Sequence, residues 1–169
     1  MEGCRQYDLN LPYPEVSGGP DPNTVVLLQE DYAGIISEMS AVNQYMFQYL
    51  LLSENNYSFA EALKCIADNE AWHKQLLGRA IVRLGGTPIL AATNTYWCAN
   101  YISYDQDPRR MILANINVEY AAIYNYRWHI QMTSNDSVKR LLERIILDEE
   151  LHIRLFSEMQ SALQQEMMP

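Results

Sequence analysis

Residues 138–163 read VKRLLERIILDEELHIRLFSEMQSAL, and this stretch decides the predicted fold. Large apolar residues recur in steps of three and four from Val138 to Leu163, which is the spacing of one buried face of an α-helix. Near the middle of that face stand two polar residues, Glu149 and His152. Side chains three residues apart project from the same side of a helix. The stretch therefore predicts a long core helix that carries a carboxylate and an imidazole into the core.

Three further amphipathic stretches predict helices of similar length. Helix A covers about residues 23–53, helix B ends at Gly85-Gly86, and helix C begins at Asp107-Pro108, because glycine ends helices and proline is favoured in their first turn. Short links join A to B and C to D, whereas the B–C link has about 20 residues and can run the length of a bundle. We therefore predict an all-α four-helix bundle over residues 23–169 with one long B–C crossover, preceded by an irregular leader rich in Pro and Gly over residues 1–22.

Every predicted helix has a glutamate on its apolar face, and two of them add a histidine at the next position of that face. Four carboxylates and two imidazoles would then share one core layer, where unpaired carboxylates cost several kcal/mol each and repel one another. Neither Lys nor Arg lies on these faces at that level, and two divalent cations would neutralise four carboxylates. A single Glu-x-x-His motif is usually solvent-facing, but here both motifs lie on apolar faces. We predict that the metal ligands are Glu38, Glu70, His73, Glu119, Glu149 and His152.

Composition limits the partners and the compartment. The net charge of −9, with no basic cluster, argues against nucleic acid and anionic membranes as partners. No apolar run reaches the length of a membrane span, and the N-terminal residues do not have the basic and apolar pattern of a signal peptide, so we expect a cytoplasmic protein. Cys4, Cys65 and Cys98 are odd in number and lack a CxxC pair, so we expect reduced thiols rather than disulfides or a thiolate metal site. The third histidine, His129, lies off the apolar face and is expected to be a surface or packing residue.

These motifs resemble those of the ferritin-like dinuclear-metal superfamily, near bacterioferritin and rubrerythrin. The similar stretches are EMSAVNQY at residues 38–45, Glu70-x-x-His73, Glu119, and DEELHI at residues 148–153. The resemblance spans about residues 25–165 and implies that Asp148 orients a ligating histidine. The corresponding residue of helix B is Asn69, a departure that makes the two metal positions unequal. The resemblance also implies that Tyr45 lies beside the metals and supplies an electron during the reduction of O₂ or H₂O₂.

The resemblance, together with the oxygen-rich ligand set, implies a non-haem dinuclear iron oxidoreductase that reduces O₂ or H₂O₂ as a ferroxidase or peroxidase. Two Fe ions are the expected cofactors, with two Mn ions and a manganese catalase as the alternative. Iron storage and a metal-stabilised structural or assembly protein stay open. Ala71 replaces the haem methionine of bacterioferritins, so no haem is implied. The chain has no CxxC module, lacks the extra helix-C carboxylate of rubrerythrins and ends soon after helix D, which implies a separate electron donor and argues against a storage cage. We expect a homo-oligomer, dimeric or larger.

Overall fold

The computed structural model describes residues 4, 7, 9–55, 59–93 and 95–165. Four long helices form an antiparallel bundle in which α2 packs on α3 and α4 packs on α5. The long connection between α3 and α4 contains a two-stranded antiparallel ribbon, in which Ala91 pairs with Tyr96, and a short 3₁₀ helix. The predicted all-α bundle with one long crossover is confirmed. The elements are α1 (Pro22–Ala33), α2 (Glu38–Glu54), α3 (Ala60–Arg83), β1 (Ala91–Ala92), β2 (Thr95–Tyr96), the 3₁₀ helix (Ala99–Tyr101), α4 (Pro108–Met132) and α5 (Asp136–Gln165).

Predicted helix A is in fact two helices, and the break lies directly before the first candidate ligand. Gly34 adopts an extended conformation in which a Cβ atom would lie 2.6 Å from the Glu30 carbonyl oxygen. Ser37 then caps α2, because its Oγ accepts a hydrogen bond from the backbone N–H three residues later and donates one to the Gly34 carbonyl. Ile35 has the helical spacing of a buried residue if helix A is continuous, but it is 61 % exposed. Glu38 is consequently the first residue of α2, where the helix dipole favours a carboxylate.

The buried apolar residues form two clusters. One contains Tyr45, Leu63 and Phe156, and the other contains Leu77 and Ile145. Both clusters are filled by the apolar faces that the sequence predicts for the long helices. The predicted ligands of α3 lie between Ile66 in the first cluster and Leu77 in the second, so the apolar clusters flank a polar layer.

The leader folds back onto the bundle and is tied to it covalently. Cys4 and Cys65 form a disulfide with a Cα–Cα distance of 5.2 Å, so the prediction of three reduced cysteines is wrong for this pair. Cys98 is free and exposed. The leader runs beside α3 and α5, since Leu9 N–H donates to Asp148 and Ser17 contacts the start of α5. This return of the chain brings together two cysteines that are 61 positions apart, which sequence spacing alone did not indicate.

None of the helices in the described part of the chain is long and apolar enough to cross a membrane.

Candidate metal centre

The structure brings all six predicted ligands into one buried layer. Glu38 lies on α2 and Glu119 on α4, while α3 and α5 each contribute a Glu and a His three residues apart. Each of the six is at most 2 % exposed. The regular 3.6-residue repeat of four packed helices therefore places six polar side chains at one level of the core. Their role as ligands stays a prediction.

The six side chains form two overlapping groups. Glu38, Glu70, His73 and Glu149 offer ligand atoms that all lie within 4.8 Å of one another, and so do Glu70, Glu119, Glu149 and His152. Glu70 and Glu149 belong to both groups, whereas Glu38 and Glu119 each belong to one. This geometry corresponds to two adjacent cation positions, with two carboxylates between them and one at each end. The sequence alone left these bridging and terminal roles open.

Each shared carboxylate points one oxygen at each histidine. Nδ1 of His73 lies 3.0 Å from Glu70 Oε2 and 3.3 Å from Glu149 Oε1. Nδ1 of His152 lies 2.9 Å from Glu70 Oε1 and 2.9 Å from Glu149 Oε2. The two halves of the cluster are therefore related by an approximate two-fold axis. Both histidines direct the same ring nitrogen into the cluster.

The other ring nitrogen of each histidine faces an oriented polar partner. Nε2 of His73 lies 3.0 Å from Asp148 Oδ2, and Nε2 of His152 lies 3.0 Å from Asn69 Oδ1. A proton on Nε2 donated to these oxygens leaves Nδ1 as the lone-pair donor, which is the arrangement that metal-binding histidines use. One partner is a carboxylate and the other an amide. The two halves therefore have the same geometry but a different charge behind the imidazole.

Two tyrosines hold the two end carboxylates. Tyr45 OH donates to Glu119 Oε1 at 2.6 Å, and Tyr126 OH donates to Glu38. Each tyrosine lies seven residues after the glutamate of its own helix and bonds to the glutamate of the other helix. Tyr126 lies on the apolar face of helix C and was not identified from the sequence, although its heptad spacing from Glu119 equals that of Tyr45 from Glu38. That spacing is the signal that could have identified it.

The electrostatics of the cluster fit cations. Burial, together with the negative charges of Glu70 and Glu149, raises the pKa of Glu38 well above its usual value, and the same causes raise the pKa of Glu119. Burial also acts to raise the pKa of Glu70, but the two histidines outweigh it and lower that pKa. In the described part of the chain, the ion pairs of these glutamates are all with His73 and His152.

One buried oxygen of the cluster lacks a hydrogen bond. Glu70 Oε1 lies 2.9 Å from His152 Nδ1, but the angles at these atoms do not allow a hydrogen bond. Among the buried side-chain oxygens and nitrogens of the described residues, Glu70 Oε1 is the one atom without a hydrogen-bond partner. An unpartnered buried carboxylate oxygen is costly. Two cations would satisfy this oxygen and neutralise the four buried carboxylates, so the residues fit a dinuclear metal site.

The leader closes the His73 side of the cluster. Tyr13 OH donates to Asp148 Oδ2 at 2.6 Å and lies 3.3 Å from His73 Nε2. Arg144 donates to the same Asp148 oxygen at 2.6 Å and to the Leu9 carbonyl, and its guanidinium lies 4.2 Å from the centre of the Tyr13 ring. Burial is the main cause that raises the pKa of Tyr13 to about 12. Sequence reasoning missed these contacts, because an irregular leader has no periodicity that would place it.

His129 lies in a different buried pair. Its Nδ1 lies 2.8 Å from Asp31 Oδ2, and both residues are at most 4 % exposed. His129 is therefore a packing residue and not a surface residue. Burial raises the pKa of Asp31 to about 6, although the histidine acts in the opposite direction.

Comparison with known proteins places this geometry in a family. The family model described as Rubrerythrin matches residues 32–160. A protein named "Probable manganese catalase" from Clostridium acetobutylicum is 25 % identical over an alignment of 160 positions, and the match covers 82 % of this chain and 70 % of that protein.

Solved structures show the same fold. The manganese catalase KatB from Anabaena superposes with a TM-score of 0.84 at 24 % identity, covering 95 % of this chain and 82 % of that one. The bacterioferritin of Desulfovibrio desulfuricans superposes with a TM-score of 0.73 at 23 % identity, covering 85 % and 81 %. Because the family model matches most of its length and its structural neighbours share a ferritin-like fold, the chain belongs to the rubrerythrin family.

Proposed function

We propose that this protein is a dinuclear-metal oxidoreductase that removes hydrogen peroxide. The observation that carries the proposal is the pair of overlapping carboxylate and histidine groups that share Glu70 and Glu149. The six proposed ligands are Glu38, Glu70, His73, Glu119, Glu149 and His152. When bound, two adjacent redox-active ions supply two electrons together, which is the number that the O–O bond of one peroxide molecule requires.

The residues around the cluster fix its ligands before any substrate arrives. Tyr45 and Tyr126 each occupy part of an end carboxylate with a hydrogen bond, which leaves the remaining lone pairs of Glu119 and Glu38 for a cation. Asp148 and Asn69 select the histidine tautomers. Because these partners are themselves buried, the ligand positions are held without reorganisation.

Burial restricts the substrate to a very small molecule. All six side chains are at most 2 % exposed, so a peroxide, dioxygen or water molecule fits the cluster but an organic substrate does not. A cleft of about 690 Å³ between the leader and α3 reaches Tyr13 and Trp72, and Tyr13 separates this cleft from His73. We propose the cleft as the route by which small molecules approach the cluster.

Tyr45 is the proposed redox-active side chain. Burial and the neighbouring Glu119 raise its pKa well above the ordinary value, so the phenol keeps its proton and donates it to that carboxylate. Tyr126 has the matching position on the other side of the cluster. The variants Tyr45→Phe and Tyr126→Phe therefore distinguish two roles. If Tyr45 is redox-active, only Tyr45→Phe should lose turnover. If both tyrosines only hold the end carboxylates, the two variants should lose turnover to a similar extent.

Disproportionation of peroxide, with two Mn ions as the cofactor, is one candidate reaction. It is supported by two relatives, the protein named "Probable manganese catalase" and the manganese catalase KatB, whose structure aligns with 95 % of this chain. Reduction of peroxide or O₂ by two Fe ions with a separate electron donor is the second candidate, supported by the family to which the chain belongs. We also propose a homo-oligomer, since a bacterioferritin-related neighbour from Bacteroides fragilis is described as dodecameric.

Metal content and peroxide turnover test the proposal together. Protein purified from its native source should contain about two metal ions per chain, and Glu70→Ala or Glu119→Gln should lose this stoichiometry. Glu150→Gln is the matched control, because Glu150 follows a proposed ligand but is exposed and pairs with Arg127 on the surface. O₂ released from H₂O₂ without any reductant supports disproportionation, and turnover only with a reductant supports the second candidate. A folded Glu70→Ala variant that still holds two ions would contradict the ligand assignment.

A further inference from the structure

The outward side of α4 exposes large apolar side chains along most of its length. Their exposed fractions range from 49 % to 72 %. In the part of this helix from residue 113 to residue 132, Arg127 is the one exposed residue that carries a charge. We call this surface the α4 face, and its members are Leu113, Tyr120, Tyr124, Trp128 and Met132.

The neighbouring helix shows that this composition is not a general property of the bundle surface. Helix α5 packs directly on α4 and has a comparable outward side. Its exposed residues are mostly charged, and Leu147 is the one large apolar residue exposed in its described part. Isolated exposed apolar residues are ordinary, but a contiguous apolar patch of this kind marks a surface that another molecule covers. The exposed charged residues of α5 are Asp136, Glu143, Glu150 and Glu158 with Arg140 and Arg154.

The spacing along the α4 face suits a second copy of the same helix. Four of its members, from Tyr120 to Met132, follow one another at intervals of four residues and so form one inclined ridge. Two ridges of this type interlock when their helices cross at about −50°. A ridge that packs against an identical ridge satisfies the self-complementarity that a two-fold symmetric interface requires.

Charge also favours a second copy over a different protein. The chain has a net charge of −9, so two copies repel one another over most of their surfaces. The electrostatic repulsion between two such chains is weakest when they approach through a surface that carries almost no charge. It also offers no charge pattern by which an acidic or basic partner would be selected. Tyrosine and tryptophan at its centre are the residues that contribute most to interfaces between proteins.

The area is of the size that a specific pair needs. A large side chain buries about 150 to 250 Å², so exposed fractions of 49 % to 72 % on the five members leave about 400 to 700 Å² open on each copy. Two copies that cover all of this area bury about 900 to 1,400 Å², which reaches the lower part of the range of specific interfaces. We infer that two copies of this chain associate through the α4 face. The assignment is independent of the proposed reaction, because it concerns the side of α4 opposite Glu119 and Tyr126.

Oxidative footprinting of the unmodified protein tests the assignment without any substitution. Tyr124 and Tyr96 are 72 % and 77 % exposed in the isolated chain, so hydroxyl radicals should modify them at similar rates if both face solvent. We expect Tyr124 and Trp128 to be modified at least fivefold more slowly than Tyr96 at about 50 μM protein. Equal rates for Tyr124 and Tyr96 would overturn the inference.

Molar mass measured by light scattering and sedimentation provides the second test. Tyr124→Glu places a charge on each side of the proposed interface, and we expect it to weaken association at least 100-fold while the helical circular dichroism stays unchanged. Val82→Glu is the matched control, since Val82 is 60 % exposed on α3, and it should retain the wild-type mass. A monomeric wild type at about 100 μM, or a folded Tyr124→Glu variant with the wild-type mass, would contradict the assignment.

Discussion

The disulfide between Cys4 and Cys65 predicts a large and specific loss of stability. It closes a loop between residues separated by 61 positions, which contains the leader, α1 and α2. In the chain-entropy description, a cross-link around a loop of this length stabilises the fold by about 4 kcal/mol. Cys4→Ser removes the link without a change in the core, whereas Cys65 is itself buried. We therefore expect the free energy of unfolding to fall by up to about 4 kcal/mol in Cys4→Ser.

Urea unfolding followed by circular dichroism measures this loss. A chain of this size should have a slope of about 2 kcal/mol per molar urea, so the midpoint should fall by about 2 M. Dithiothreitol should shift the wild type by the same amount and leave Cys4→Ser unchanged. Cys98→Ser serves as the control, because Cys98 is exposed and free. Metal content must be equal in all samples, since a bound ion also shifts the midpoint.

Two results would refute this reasoning. If neither dithiothreitol nor Cys4→Ser changed the midpoint or the amide protection of residues 9–17, the two sulfurs would not be joined in the folded protein. If dithiothreitol lowered the midpoint of Cys4→Ser as much as that of the wild type, the effect would arise from another cysteine. A loss confined to amide protection in residues 9–17, with an unchanged midpoint, would show that the leader detaches before the bundle unfolds.

Three further substitutions test separate parts of the structure. Arg144→Met should cost about 3 to 5 kcal/mol, since it leaves Asp148 buried without its cation, and hydrogen exchange should show the leader released. For Asp31, a folded pKa of about 6 lies above the unfolded value. The pKa of His129 is raised too, because the hydrogen bond and the charge of Asp31 outweigh the effect of burial, which acts to lower it. The folded state therefore holds more protons, so stability should fall as pH rises from about 4 to 7, and Asp31→Asn should lessen that fall by ~3 kcal/mol in thermal or urea unfolding. Phe156→Ala should cost about 3 to 5 kcal/mol in the same unfolding assay, because Phe156 is fully buried against Tyr45.

The bundle and its polar layer could be predicted because both follow the helical period. Glu149 and His152 interrupt an otherwise apolar face, and the same interruption on α3 places Glu70 and His73 at the same level. The break at Gly34 could not be predicted, since the apolar residues on either side of it keep helical spacing. Gly34 and the capping residue Ser37 are compatible with such a break, but the unbroken apolar spacing predicts one continuous helix.

The contacts of the leader illustrate a second limit. Tyr13 reaches His73 and Asp148 across 60 and 135 positions of sequence, and nothing in an irregular segment specifies such a partner. Tyr126 is a different case, because its spacing from Glu119 repeats that of Tyr45 from Glu38. This spacing is visible in the sequence, but Tyr126 also has the spacing of an ordinary core residue, so its contact with Glu38 was not predicted.

The division of the polar layer between the two helical hairpins has a consequence for assembly of the fold. The hairpin of α2 and α3 supplies Glu38 with the Glu-x-x-His pair of α3, and the hairpin of α4 and α5 supplies Glu119 with that of α5. Neither hairpin alone contains a complete group, because each group takes Glu70 from one hairpin and Glu149 from the other. A bound ion would therefore link the two hairpins. If the chain were cut within the crossover, metal binding would favour reassociation of the two fragments.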